Sequence, residues 1–526
     1  MMHRAKRYLN KIRIVFLLLV LGLPAQGMAQ ELRVGVQVGP TTLDPHFFNY
    51  FANIGNLGNI YEALVTEDRE GRIQPQLATS WETVSPTEWV FHLREGVKFH
   101  NGADFTAQDV AFSIARTKTI QGSPGSFVTF TAQIKAVEVI DPLTLKITTF
   151  SPAPYFLFDL ARVFVVSAGS SAATTADYNQ GSAAIGTGPF RSVSWAQNAE
   201  WMLQRNDAWW GTLPHWATVR IRIVPNDAAR VAALLAKDVD LIDRVPSSDM
   251  ARLVAGKQFA VSSRPGLEVF VLNIDTQREI SPFAKGSASG QAKNPLREPA
   301  IRRALSLAIN RKLLVDRVFE QSAVPAFELT DVGDQERTGL PPLDYDPVRA
   351  KALLAEGGFP DGFELTLHGF SGVIAGDVQL VQGVAQFFSR IGVKTRVETM
   401  PPTVLFPGAS RGEWSAYLTG STTPYAIAPY KFFAMTPNPE KGYGSGNRLR
   451  FSNDRLDEVL GKALVTMDAG ERLELIRQAA TLVREVVPVI PLFHPVYSWA
   501  SNREVASYDA WALPFTRFTD ARPAAK

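Results

Sequence analysis

The chain has 526 residues, 46% of them hydrophobic, with 54 Lys and Arg against 51 Asp and Glu and no cysteine. The lack of cysteine excludes disulfides, thiolate metal sites, thiol nucleophiles and a lipid-modified N-terminal cysteine. Five basic residues and no acidic one fall within residues 1–29, which leaves 49 basic against 51 acidic in the remainder. Such a nearly neutral surface gives no electrostatic reason to expect a nucleic-acid partner.

The chain opens with Arg4, Lys6, Arg7, Lys11 and Arg13, then an apolar run from Ile14 to Leu23, then Ala25, Gly27 and Ala29. This is the layout of a secretory signal peptide cleaved after Ala29. The run rises about 15 Å as a helix, half of the roughly 30 Å a bilayer core requires. Leu32–Val36 reads as a buried strand, closed by Gly39-Pro40. Helical spacing covers Ile54–Leu64. Strands are predicted at Trp81–Val84, Glu88–Leu93 and Val97–Phe99. Gly96 and Gly102 suit turns that need unusual backbone angles. Thr106-Ala-Gln-Asp109 is a capping-box pattern, which predicts a helix over Thr106–Thr117. A hairpin spans Val137–Ile140 and Thr144–Thr149 around Asp141-Pro142. From about residue 185 strands and helices alternate. Strands are predicted at Val219–Val224, Leu241-Ile242, Val269–Ile274, Phe363–Leu367 and Thr395–Thr399. Helices are predicted at Asp227–Ala236, Ser248–Val254, Arg297–Ile309, Lys312–Phe319, Asp346–Glu356 and Val378–Ile391. This alternation implies parallel sheets flanked by helices. Gly286–Asn294 reads as a surface loop. A mature chain of this length exceeds one hydrophobic core, so two lobes or more are expected.

No G-x-S-x-G elbow, H-E-x-x-H pair or G-x-x-x-x-G-K-[ST] loop is present, which argues against an enzyme. The seven histidines make no close metal-ligand pair. No cofactor is expected. The paired tryptophans Trp209-Trp210 read as a packed corner rather than a ligand platform.

The segments Gln76–Trp81, Trp89–Gly102 and Phe105–Val110 together resemble the signature of the bacterial extracellular solute-binding proteins of family 5. Further matches follow in order at Gly186–Phe190, Arg205–Gly211, Val224–Arg230, Ile301–Asn310, Tyr345–Pro347 and Pro488–Leu492. The resemblance implies an α/β fold: a two-lobed type II periplasmic binding protein with an additional β-rich subdomain. Lobe I is expected at 31–265 plus 490–520, its β-rich subdomain at 62–184, and lobe II at 266–489. The implied role is capture of a peptide or peptide-like solute in the inter-lobe cleft, in the periplasm, for the permease subunits of an ABC importer. An opine, a sugar-like solute, or nickel or a metallophore are the alternatives. The protein is expected to be a monomer.

By the same resemblance two segments are expected to meet the ligand. One is the aromatic stretch His46–Asn53, with Asn49, Tyr50 and Phe51. The other is 414–425, with Trp414, Tyr417, Leu418, Ser421 and Tyr425. Tyrosine and tryptophan suit such a site through their apolar faces and polar edges. Peptide binders of the family often hold a free amine with an Asp where Ser421 stands here. Dipeptide binders hold the carboxylate with an Arg near the position of Ser371. Losing two charge-assisted contacts of about 1.5–3 kcal/mol each disfavours an ordinary dipeptide. Asp377, Arg411, Glu413 and Lys431 are the nearby charges that could substitute, although each reads first as a solvated surface charge.

Overall fold

The structure is a computed structural model that describes residues 31–288, 291–320, 322–330, 338–374, 376–422 and 425–524. The proposed leader lies outside the described residues. Two lobes are built on sheets joined through one long strand, Val489–Asn502.

In lobe I the opening strand Glu31–Val36 lies between Thr218–Ile223 and Leu241–Asp243, parallel to both. Leu32, Val34 and Val36 alternate onto one buried face of the strand. The β-rich subdomain holds a four-stranded antiparallel sheet of Ala78–Ser85, Glu88–Leu93, Thr144–Thr149 and Ile134–Asp141. Trp89, Phe91 and Leu93 alternate inward onto the helix Ala107–Arg116 and its neighbours. That helix starts where the sequence places it: the Asp109 carboxylate accepts the Thr106 N–H at 2.8 Å. Gly96 and Gly102 adopt φ of +75° and +88°.

Lobe II centres on Glu268–Ile274, which pairs antiparallel with Ala416–Thr422 on one side and with the long strand on the other. Its sheet continues through Glu364–Phe370 and Lys394–Met400, a parallel pair. Both lobes are therefore mixed rather than purely parallel, because the chain crosses back between them. The helices Asp454–Ala463 and Ala469–Val486, which the sequence reading left unassigned, close the far side of lobe II.

Three local expectations change. The helix predicted over Ile54–Leu64 stops at Leu57. Asn59 is instead drawn to the C-terminal segment, where its amide donates to the Thr516 carbonyl and accepts the Phe518 N–H. Val97–Phe99 forms only a single bridge, from Lys98 to Asp104. The segment predicted as a loop at 286–294 carries paired strands, Ala284–Ala288 and Gln291–Lys293, on either side of undescribed residues 289–290.

Candidate functional site

The two lobes share a backbone ladder. The long strand pairs with lobe II through Val489–Phe493 and with Ala323–Pro325 through Phe493–Pro495. From Val496 onward it pairs with Phe259–Pro265 of lobe I. The long strand thus changes pairing partners near 495–496. The other crossing lies at Gly266, whose N–H donates to the Pro495 carbonyl at 2.7 Å. A Cβ there would come within 2.3 Å of the Tyr497 ring, so only glycine lets the two crossings pack. Tyr497 in turn donates its hydroxyl to Glu268 Oε2 at 2.8 Å. Burial pushes the Glu268 carboxyl up from its ordinary range, against the pull of Tyr497, Arg244 and His494.

Beside this hinge lies a crevice of about 130 Å³ lined from both lobes. Lobe I contributes Gln37, Asp227, Arg244 and Ser247, and lobe II contributes Phe319, Ser322, Val373 and Ile374. The loop carrying Val373 is held by Asp377, whose carboxylate accepts the Val373 N–H at 3.0 Å.

Away from the hinge strand the lobes also touch through aromatic and charged side chains. Tyr425 of lobe II stacks on Tyr155 of the β-rich subdomain, ring centres 4.4 Å apart, and lies 5.5 Å from Phe158. The Arg472 guanidinium sits 5.1 Å from the Tyr155 ring. Asp159 faces Lys431 and Arg162; burial pushes its carboxyl up to about 7, although both cations pull it down. The sequence reading missed the Tyr155–Asp159 segment, whose apolar run looks like ordinary core.

The predicted site residues separate into two groups. Tyr425 lies at the contact between lobes, and Ser421 and Ser371 lie close in sequence to hinge or crevice residues without lining the crevice themselves. Ser421 pairs with Val269, next to Glu268. Ser371 follows the strand Glu364–Phe370 and precedes crevice residue Val373 by two positions. Tyr50 is 42% exposed, stacks on Phe48 and faces Tyr497. The others are used in packing. Tyr417 and Leu418 are buried in the lobe II core. Trp414 lies beyond the opposite end of its strand, stacked on His368 at 4.3 Å and donating to the Leu405 carbonyl. Asn49 ties its loop to Gly125 and Ser126, and Phe51 packs against Phe515. Strand direction explains the split: residues 414–418 begin a strand whose other end, Ser421-Thr422, reaches the hinge.

The suggested replacement charges are engaged elsewhere. Arg411 pairs with Glu413 at 2.6 Å, Asp377 holds the 373 loop, and Lys431 faces Asp159. Trp209 and Trp210 both donate their indole N–H to buried Glu62, at 3.1 and 3.0 Å, which makes them a structural corner. Burial pushes the Glu62 carboxyl up to about 7. Among the described residues no cluster of three or more His, Asp or Glu is placed to hold a metal ion. Nor is any helix among them long and apolar enough to cross a membrane. A second cavity of about 220 Å³, lined mainly by apolar residues such as Leu307, Phe327 and Val483, lies within lobe II, where lobe closure could not seal it.

Two lobes hinged on a shared strand, with a crevice lined from both, define a two-lobed binding protein. The family model for bacterial extracellular solute-binding proteins, family 5 (middle region), matches residues 72–443, and the chain belongs to that family. The chain is 28% identical over 509 residues to the glutathione-binding protein GsiB of Salmonella typhimurium, covering 93% of this chain and 94% of that one. Among solved structures it is similar to the periplasmic binding protein DppA from Helicobacter pylori in complex with the peptide STSA. That match has a TM-score of 0.75 and 22% identity, covering 94% of this chain and 98% of the other. It is also similar to AgaA in complex with agropinic acid from A. tumefaciens R10. There the TM-score is 0.73 and the identity 24%, covering 94% and 99%.

Proposed function

We propose that this chain is the receptor of an ABC importer and captures a small peptide-like solute between its lobes. The observation that carries the reading is the crevice whose walls come from both lobes and whose back is their shared strand. A solute bound there adds contacts that exist only when the lobes are together, so it stabilises the closed form. The permease then distinguishes loaded from empty receptor by shape, and no covalent step is required. Tyr50, Ser371, Ser421 and Tyr425 are the residues of the sequence reading that we retain as ligand contacts. The protein acts as a monomer in the periplasm after loss of residues 1–29 and is not an enzyme. The glutathione-binding relative supports a peptide-like cargo, and the agropinic acid complex keeps opines as the second reading.

Native mass spectrometry of gently purified protein, followed by a thermal-shift panel of short peptides, reduced glutathione, opines, sugars and nickel–histidine, tests this. A cognate solute at 100 times its Kd adds about 2.7 kcal/mol to stability. If no member of the panel moves the melting point, the reading fails.

A further inference from the structure

The crevice holds a cation that the fold leaves uncommitted. Arg244 directly follows the strand Leu241–Asp243 and lines the crevice from lobe I. Among the described residues its guanidinium makes no ion pair and no hydrogen bond; the Tyr497 ring lies 5.9 Å away, and the Glu268 and Asp243 carboxylates feel its charge without pairing with it. The acids it faces are already served. Glu268 accepts from Tyr497, and Asp243 accepts the Gln37 N–H at 2.8 Å and lies 3.6 Å from Arg230. Asp227, the acid of the crevice wall, is bound to Arg230 at 2.7 Å. The Arg244 backbone is held at φ +47°, a conformation side-chain-bearing residues seldom adopt. Such strain persists where the surroundings over-determine it, often at functional positions. Two further features point the same way. Ser322 of lobe II lines the crevice, and its buried hydroxyl has no partner. The helix Ser247–Ala255 begins there, with Pro246 and Ser247 in the crevice wall, so the positive end of its dipole lies beside the same space.

We infer that Arg244 is the anion anchor of this receptor: it takes a carboxylate of the solute at the root of the cleft, with the Ser322 hydroxyl closing on it from the other lobe. This rests on the proposed peptide-like cargo and narrows it to solutes bearing a free carboxylate. Carboxylate recognition, absent at Ser371 of lobe II, is relocated to lobe I. An arginine fork suits a carboxylate because it donates two parallel hydrogen bonds.

The test uses the mature chain and paired probes read by calorimetry: reduced glutathione and its diamide, trialanine and its amide, galacturonate and galactose. The wild-type protein is expected to bind at least one acid about tenfold or more tightly than its neutral partner, one charge-assisted hydrogen bond's worth. Arg244→Gln should reduce that preference below about threefold, and Arg244→Lys should keep part of it. Because residue 244 is left-handed, Arg244→Asn serves as a second variant, and melting curves establish that each is folded. If a folded Arg244→Gln or Arg244→Asn protein retains the full preference, the anchor is overturned while the receptor reading stands. Binding of galacturonate alone would keep the anchor and overturn the peptide-like cargo. If the wild-type protein favours no acid over its neutral partner, the anchor falls.

Discussion

The two places where the lobes meet are made of different material. At the hinge, one strand hydrogen-bonds through both sheets, and Gly266, Tyr497 and Glu268 pack around the crossings. At the mouth, contact depends on Tyr425 against Tyr155 and Phe158, with Arg472 and Lys431 alongside. Backbone ladders persist whether the cleft is open or shut. A stack of side chains can part and re-form at the cost of an aromatic contact, about 0.5–1.5 kcal/mol beyond the area buried. The hinge therefore contributes to fold stability, and the mouth contributes to the free energy of closure.

Substitution at the mouth should separate these roles most clearly. Tyr425→Ala removes the stack and the apolar burial, together about 2–3 kcal/mol. It should weaken solute binding about 30- to 100-fold. If the stack belongs to closure, the melting point of the unliganded protein should barely move. Calorimetry and the radius of gyration from solution scattering check both halves. An unliganded protein destabilised as strongly as its binding would mean that the mouth is permanent packing. At the hinge the pattern inverts. Tyr497→Phe leaves the Glu268 carboxylate without its donor, a cost of about 1–3 kcal/mol. That loss should appear in denaturant unfolding without any solute. An unchanged unfolding midpoint would dissolve the distinction from the other side.

The same contrast marks what could be read from the sequence. Local rules located Glu88–Leu93 and the helix Ala107–Arg116, because alternation and a capping box act within one element. The hinge strand escaped them. Val489–Asn502 contains Pro491 and Pro495, which in sequence demote a strand to an edge or a bulge. Its pairing with Glu268–Ile274 does shift register between Phe270 and Val271, opposite Phe493 and Pro491. The helix ending at Leu57 was over-read because the Asn59 contacts come from residues more than 450 positions away. At the site, aromatic character marked Tyr425 but also Trp414 and Tyr417, which differ only in strand end. Arg244 carried no local signal: a lone arginine after a short strand looks like any surface charge until both lobes are in place.

The smallest effect expected at the mouth is a dependence on pH. Asp159 is bonded by the Gln133 amide at 2.7 Å and faces Arg162 of its own subdomain and Lys431 of lobe II. Burial nevertheless dominates and pushes the carboxyl up to about 7 from 3.8. With the raised value the closed form holds more protons than a solvated carboxyl between about pH 4 and 7. The sign follows: this group favours closure below that window and loses its contribution as pH rises through about 7. Part of the burial comes from Gln133 and Arg162, which stay beside Asp159 when the cleft opens, so only a fraction of the shift belongs to closure. Solute affinity should accordingly fall a few-fold between pH 5 and pH 8, an interval that spans the shifted value, and Asp159→Asn should flatten that slope. A slope that survives in Asp159→Asn would assign the titration to another group and leave the mouth held by its aromatic stack alone.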